Sequence, residues 1–266
     1  MKTLTPLKVR TDIFDPIIHG SLARSTVLQI EDMILGGVLT SGMKLPAERD
    51  MAAQMQISRP KLREALTALE QSDLIEIRPG EGAFIRQLTA SAMAPALIKL
   101  YSRPPSAIHD HLDYRSVQEG FASRLAAARA TQTDRDMLSE IIAQMRAAHA
   151  ANDHDAGVRL DTGFHIAIAN ASHNRTLIHM MTALYNISHS TVFFDRAEIT
   201  NIADVSGHLL AQHVEIADAI LAQDPARAQK AAEHHIDYVR LSTNEALARQ
   251  QRETDARKRR INLAGR

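Results

Sequence analysis

The stretch LPAERDMAAQMQISRPKLREALTALE, residues 45–70, decides the fold of the first third of the chain. Its pattern predicts two short helices joined by a tight turn, the first over residues 47–55 and the second after Ser58. Pro60 falls in the first turn of the second helix, where proline is tolerated because that N–H has no partner within the helix. The second helix has an apolar stripe for burial, formed by Leu62, Leu66 and Leu69. We interpret the stretch as a helix-turn-helix.

Cationic and hydroxyl side chains cluster where the second helix begins. Ser58 is placed to cap that helix, and Arg59, Lys61 and Arg63 follow in its first turns. Arg59 and Arg63 share a face that points away from the leucine stripe. An arginine pair on its own is more often a solvated face, but the start of a helix also favours anionic phosphate. The cluster therefore predicts that this end of the helix enters the major groove of DNA.

The flanking segments complete a small domain. Ser21 can cap a preceding helix that ends at Gly36–Gly37, and residues 74–86, LIEIRPGEGAFIR, alternate around a glycine-rich tip as a β-hairpin does. Three helices followed by a hairpin predict a winged helix-turn-helix over residues 21–88. Residues 1–20 show no sustained periodicity, and we expect a flexible arm there.

Composition restricts the class of protein. The chain has 266 residues, no cysteine and zero formal net charge, so disulfides and thiolate metal sites are excluded and DNA binding must rest on a local basic patch. No window approaches the roughly 20 consecutive apolar residues of a membrane span, and the N-terminus lacks a signal-peptide core. We expect a cytoplasmic protein with no membrane partner.

The remaining two thirds of the chain predict helices alone. Residues 89–250 read as an all-α antiparallel bundle of six or seven helices, the extra one over residues 90–101. Residues 251–266 form a charged tail that we expect to be frayed. Candidate N-caps of the bundle helices are Ser106, Thr133, Asp153, Asn174 and Asp224, the last followed by a proline.

One carboxylate and three imidazoles are spaced so that they can converge in this bundle. Asp161 and His165 are one helical turn apart, so they share a face. His213 precedes Asp224 by 11 residues and His235 follows it by 11, which puts both at one level of an antiparallel helix pair. Such a set suits Zn²⁺, Ni²⁺ or Mn²⁺ with positions open for a ligand. Spacing alone does not separate this site from four ordinary surface or hydrogen-bonded side chains.

The first part of the chain resembles the DNA-binding domain of the GntR family of bacterial transcription regulators, over about residues 21–86. The resemblance lies in four blocks in order, I-x-x-x-I-x-x-G-x-L from Ile30, LPAERDMA, ISRPKLREALTALE and LIEIRPGEGAFI. It implies DNA contacts by Arg49, Arg59 and Arg63, and an approach of Gly82 at the wing tip to the minor groove.

The second part resembles the FCD ligand-binding domain, the effector domain of the FadR subfamily, over roughly residues 90–245. The resemblance lies in Tyr114-Arg115 with Glu119, in LAAARAT from Leu125, in D-x-x-FH-x-x-I from Asp161, in H-x-x-I-x-x-AI from His213, and in the run around His235. It implies one divalent metal ion per chain, held by Asp161, His165, His213 and His235. It also implies a small carboxylate effector, for which Arg115 is a candidate ligand; an intrahelical pair with Glu119 is the alternative.

The sequence thus predicts a homodimeric regulator, with a repressor favoured over an activator, whose binding to double-stranded operator DNA responds to a small organic acid. One alternative is a regulator that senses the metal ion itself. Another is a metal-dependent hydrolase, which lacks a general base with a defined place and leaves the DNA-binding half unexplained. We therefore expect no catalytic residues.

Overall fold

The computed structural model divides the chain into two compact units, Met1–Ala94 and Pro95–Arg266. Most of the predicted N-terminal arm and the predicted helix at 90–101 lie outside the described residues. The residues that the structure describes are 22–86, 105–189 and 205–264, with the single positions 10, 13 and 88. Among them, no helix is both long enough and apolar enough to cross a membrane.

The first unit contains the predicted helix-turn-helix and wing. Its elements are α1 (Leu22–Leu35), α2 (Glu48–Gln54), α3 (Arg59–Gln71), β1 (Ile75–Arg78) and β2 (Gly82–Ile85). Ser58 caps α3 as predicted, its hydroxyl accepting a hydrogen bond from the Lys61 N–H at 3.4 Å. The three helices close over one apolar core, which includes Ile30, Ile34, Met51, Met55, Leu62, Leu66 and Leu69.

The wing is a two-stranded antiparallel hairpin. Its register runs from Ile75 opposite Ile85 to Arg78 opposite Gly82. Gly82 has a φ of +106°, a conformation that residues with a Cβ rarely adopt, so glycine is required where the second strand starts. Lys44 bridges to Phe84 on the outer side of β2 and ties the wing to the segment before α2. The predicted winged helix-turn-helix is confirmed.

The second unit is helical throughout its described residues. Its elements are α4 (Pro105–Arg129), α5 (Gln132–Ala150), α6 (His154–Ala171), α7 (Arg175–His189), α8 (Val205–Leu221) and α9 (Pro225–Ala264). The central helices α4 and α9 lie close together at Gly120, where a Cβ would come within 2.9 Å of the Glu233 side chain. The core between the helices is apolar and centres on the fully buried Phe164 and Ile216.

Two of the five predicted N-caps are wrong. Helix α5 is capped by Thr131 rather than Thr133, because Thr131 and Asp134 form a reciprocal capping box in which each side chain accepts from the backbone N–H of the other. Helix α4 begins at Pro105, a residue suited to a first helical position, so Ser106 lies inside the helix. The other three caps hydrogen-bond as predicted, namely Asp153, Asn174 and Asp224.

The expected frayed tail is also corrected. Helix α9 continues to Ala264, well past residue 250. Charged and polar side chains one turn apart pair along its exposed surface, with 2.9 Å between Arg257 Nε and Glu253 Oε1 and 3.0 Å between Gln251 Nε2 and Asp255 Oδ1. Such pairs each stabilise a helix by ~0.2–0.5 kcal/mol.

Removal of the Leu62 side chain tests the core of the first unit. Leu62 is fully buried, and Leu62→Ala leaves a cavity, so we expect the free energy of unfolding to fall by about 2–5 kcal/mol. Urea unfolding followed by far-ultraviolet circular dichroism measures it. Leu28→Ala is the matched control, because Leu28 is 54% exposed on α1. An equal loss in both variants would contradict the described packing.

The stability of the second unit should fall in mild acid. Burial and the nearby Arg115 lower the pKa of His111 from 6.5 to about 4. Above pH 6.5 the folded and unfolded states are both neutral at this group; below it only the unfolded state gains the proton. Unfolding should therefore become easier by up to about 1.4 kcal/mol per pH unit as pH falls towards 5.

All four tyrosines of the chain lie after residue 95, so tyrosine fluorescence reports unfolding of this unit. Unfolding in urea at pH 7.5 and at pH 5, with a chelator present, measures the pH effect. His111→Gln should reduce the difference between the two conditions. Wild-type stability that stays constant between them would contradict the burial of His111.

Candidate functional sites

The candidate DNA interface lies where α2 and α3 begin. Glu48 gathers the two predicted arginines: its Oε2 is 2.7 Å from Arg63 Nε and 3.8 Å from Arg59 Nη2. Both arginine side chains remain more than half exposed, at 62% and 56%. Exposed ion pairs are worth only about 0–1 kcal/mol, so phosphates or base edges can replace Glu48 as partners. The arrangement presents two cations on one face of α3.

The other predicted DNA-binding residues surround this pair or lie on the wing. Arg49 is 82% exposed and contacts its neighbour Asp50 at 3.0 Å, while Lys61 Nζ contacts Glu64 at 2.7 Å. Ser58 serves as the helix cap, and its N-cap position places it at the end of α3 that carries the cations. Gly82 is exposed in the wing. Sequence analysis did not identify Glu48 as the residue that organises the arginines.

The candidate metal centre brings together three of the four predicted ligands closely. His165, His213 and His235 extend from α6, α8 and α9, and each is at most 2% exposed. The ring centroids of His213 and His235 are 4.5 Å apart, and each lies 5.3 Å from that of His165. One nitrogen from each ring lies within 4.8 Å of the other two. Three imidazoles at this separation can share one cation.

The predicted carboxylate is adjacent to the histidines. Asp161 lies one turn before His165 on α6, and its Oδ1 is 3.4 Å from His213 Nε2. Its side chain is 15% exposed, so it faces both the buried rings and the solvent side. Asp161 therefore borders the histidine cluster on its more accessible side, while only the three histidines have ligand atoms within 4.8 Å of one another.

The donor set fits a divalent transition metal ion. Among the described residues, the buried Nε2 of His165 has no hydrogen-bond partner, an arrangement that leaves a lone pair unsatisfied in a dry site. Burial, together with His213 and His165, holds the pKa of His235 well below its ordinary value. A neutral imidazole is the form that binds a metal ion.

Arg115 is fully buried rather than free. Its Nε donates to Glu119 Oε1 at 2.8 Å and its Nη2 donates to the Tyr185 hydroxyl at 2.9 Å. The intrahelical pair with Glu119 that the sequence allowed is thus present. Arg115 also lines the cavity next to the histidines, so a ligand there would meet its positive charge. The residue combines a structural role with the position expected of an anion ligand.

Charges in this buried group hold each other in place. Burial alone would raise the pKa of Glu119, but Arg115 and His165 hold it well below its usual range. Burial raises the pKa of Tyr185 well above its ordinary value, so the hydroxyl keeps its proton and donates to Glu119 Oε1 at 2.5 Å. A buried carboxylate requires such compensation. Tyr185 and Gln212, which contacts His235, lie on other helices, and sequence spacing offered no signal for either.

A cavity of about 200 Å³ opens beside the histidines. Its polar lining includes Arg115, Asp161, His213 and His235, and its apolar lining includes Met145, Leu210 and Val239. A small anion with a short apolar body would find a cation, candidate metal ligands and apolar contacts within one space. The cavity therefore joins three of the four predicted metal ligands to the predicted anion ligand.

Comparison with known proteins shows two families along the chain. Residues 22–85 match the bacterial regulatory proteins of the gntR family, and residues 110–238 match the FCD domain. The first match covers the winged helix-turn-helix. The second covers every candidate metal ligand and Arg115.

Individual relatives agree with these matches. The chain is 32% identical over 219 residues to the Glc operon transcriptional activator of Escherichia coli, which covers 81% of this chain and 86% of the relative. It is 28% identical over 230 residues to the HTH-type transcriptional repressor NanR of Edwardsiella tarda, and the match covers 84% of this chain and 86% of the relative. A solved structure of Streptococcus agalactiae GntR shares the fold, with 24% identity and a TM-score of 0.50. The match covers 83% of this chain and 99% of that structure. These relatives are transcription regulators, not enzymes, and the chain belongs to the GntR family of bacterial transcription regulators, with an FCD domain after its DNA-binding domain.

Proposed function

We propose that this chain is a homodimeric repressor whose binding to operator DNA is controlled by a small carboxylate in a metal-centred cavity of the FCD domain. The observation that carries the proposal is the cluster of three buried imidazoles, two of which line a cavity together with Asp161 and Arg115. Burial of polar side chains is unfavourable unless partners compensate for the lost water, and a bound metal ion would be such a partner.

The DNA-binding half of the proposal assigns roles by position. Arg63 and Arg59 on α3 contact base edges and phosphates in the major groove, and Lys61 adds a phosphate contact. Arg49 at the start of α2 positions the domain on the backbone, and the Ser58 cap orients the end of α3. Gly82 permits the wing to approach the minor groove.

Operator binding by two copies of the chain follows from the short length of DNA that one recognition helix contacts. One recognition helix contacts only a few base pairs, so a specific operator needs two half-sites and a two-fold symmetric pair of chains. The relatives include both a named activator and a named repressor. We favour a repressor because a dimer that covers an operator blocks transcription without any further protein contact.

The metal ligands would be Asp161, His165, His213 and His235, with one Zn²⁺, Ni²⁺ or Mn²⁺ per chain. A bound divalent ion would supply open coordination positions for an oxygen ligand. Arg115 attracts the carboxylate of that ligand into the cavity, and the apolar lining accepts its body. The effector controls DNA binding only if it has different affinities for the DNA-bound and free states.

A metal-sensing regulator is the second candidate function, since the same four ligands would serve it. The two functions differ in their response to the metal ion: a metal sensor releases or binds DNA when the metal ion alone is added. The metal-dependent hydrolase is set aside, because both matched domains belong to transcription regulators.

Arg63→Ala tests the DNA-binding half. We expect it to abolish specific operator binding while the fold persists, because a dimer loses one base contact in each of two half-sites and each such contact is worth about 1–3 kcal/mol. A gel-shift titration on an operator selected from random duplexes by the wild-type protein measures it. The same titration counts chains per duplex, for which we expect two.

Arg24→Ala is the control, because Arg24 is an exposed arginine of α1 on the same domain. It should keep wild-type affinity. Wild-type affinity in Arg63→Ala would remove that side chain from the interface, and a stoichiometry of one chain per operator would remove the dimer.

Joint replacement of His213 and His235 by alanine tests the metal-binding half. We expect the purified double variant to lose the metal ion, because two of four ligands are gone and the rest cannot complete a site. Elemental analysis after dialysis measures metal content. The matched control is His234→Ala, which changes the adjacent α9 histidine that does not line the cavity.

Metal content that is unchanged in the double variant would eliminate the proposed site. Gel shifts with metal added alone, and with metal plus small organic acids, then separate the two candidate functions. Release of DNA by metal alone indicates a sensor, and release only in the presence of an acid indicates effector control.

A further inference from the structure

The Glu119 carboxylate contacts three side chains inside the FCD domain. Its Oε1 accepts from Arg115 Nε at 2.8 Å and from the Tyr185 hydroxyl at 2.5 Å, and its Oε2 lies 2.7 Å from His165 Nδ1. The side chains of Arg115, Glu119 and His165 are at most 3% exposed. No bulk water competes for these contacts, so the protein alone determines which partner each atom has.

The short distance between Glu119 and His165 favours one position of the His165 ring proton. A carboxylate only accepts hydrogen bonds, so at 2.7 Å it favours the form of the ring with a proton on Nδ1 over the form with a lone pair there. The contact is short but is not aligned as a hydrogen bond, since Glu119 Oε2 has no hydrogen-bond partner among the described residues. In a neutral imidazole, a proton on Nδ1 leaves the lone pair on Nε2. That Nε2 is the buried atom that lacks a partner among the described residues.

The neighbouring His235 has a weaker form of the same arrangement. Its Nδ1 lies 3.1 Å from Gln212 Oε1 on α8. An amide can turn over and donate instead, so Gln212 does not fix a tautomer as firmly as a carboxylate does. Glu119, which cannot donate, therefore favours one tautomer of its histidine more strongly than Gln212 does.

We propose that Glu119 is a positioning residue that holds His165 in its Nδ1-protonated tautomer and so directs the Nε2 lone pair towards the space shared with His213 and His235. Arg115, one turn before Glu119 on α4, and Tyr185 on α7 hold the carboxylate itself in place. The role of Glu119 in metal binding rests on the metal site of the proposed function. Its contacts with Arg115, Tyr185 and His165 are present without an ion.

The first test is the tautomer of His165 in the metal-free, full-length protein. Nitrogen-15 NMR of histidine-labelled protein distinguishes Nδ1–H from Nε2–H rings, and comparison with His165→Asn identifies the His165 signals. We expect the Nδ1–H form alone in the wild type. We expect a substantial Nε2–H population in Glu119→Gln, because the amide can donate to Nδ1. An Nε2–H ring in the wild type, or an unchanged ring in folded Glu119→Gln, would overturn the proposal.

Two further variants keep the test decisive. Glu119→Gln leaves the buried Arg115 without its anion, which can unfold the domain. The double variant Arg115→Gln/Glu119→Gln removes both charges, and the same NMR shift is expected in it. Glu233→Gln is the matched control: it makes the same change on α9 beside Gly120, and His165 should keep the Nδ1–H form.

The second test is metal affinity, measured by calorimetric titration of Zn²⁺ and of Mn²⁺ into the same proteins. We expect Glu119→Gln to weaken binding by about 10–100-fold, the usual effect of removing the partner of a histidine ligand, and Glu233→Gln to leave it unchanged. Equal affinities in wild type and Glu119→Gln would refute the role of Glu119 in metal binding. A wild type that binds neither ion but shows the Nδ1–H tautomer would refute the proposed metal site and leave the positioning role standing.

Discussion

Removing a carboxylate from water is unfavourable by several kcal/mol unless cations and donors replace the solvent, and the C-terminal domain meets this demand at Glu119. Arg115 supplies the charge, Tyr185 supplies a hydroxyl, and the His165 ring lies 2.7 Å from the second oxygen. These groups come from α4, α6 and α7, so the network sets how three helices lie against one another. The geometry of the histidine cluster follows from that packing, because His165 is part of both.

The two domains use arginine in opposite ways. In the DNA-binding domain Arg59 and Arg63 are exposed and their carboxylate partner, Glu48, is exchangeable for a phosphate. In the FCD domain Arg115 is fully buried, its partners are not exchangeable for water, and the pKa of Glu119 is held low. One arrangement favours rapid exchange of partners with a polyanion. The other favours a fixed internal framework on which a small ligand can be recognised.

Local patterns predicted the fold well because they depend on neighbouring residues. The α3 cap at Ser58 and the hairpin around Gly82 are set by contacts within a few positions, and the structure reproduces both. Thr131 was missed because two threonines stand within one turn, and only the reciprocal contact with Asp134 separates them. Helical register was sufficient to place His213 and His235 at one level. Tyr185 and Gln212 could not be found, because their roles arise where separate helices meet and leave no periodic trace in the sequence.

Helix α9 carries His235 near its start and then continues to Ala264. At about 1.5 Å per residue, the 29 residues that follow His235 give a rod of roughly 44 Å. A tilt of about 5° at the histidine therefore displaces the far end of the rod by about 4 Å. By lever geometry alone, a small rotation at the ligand cluster thus becomes a displacement of several ångströms, about 4 Å, at a surface dense in arginine.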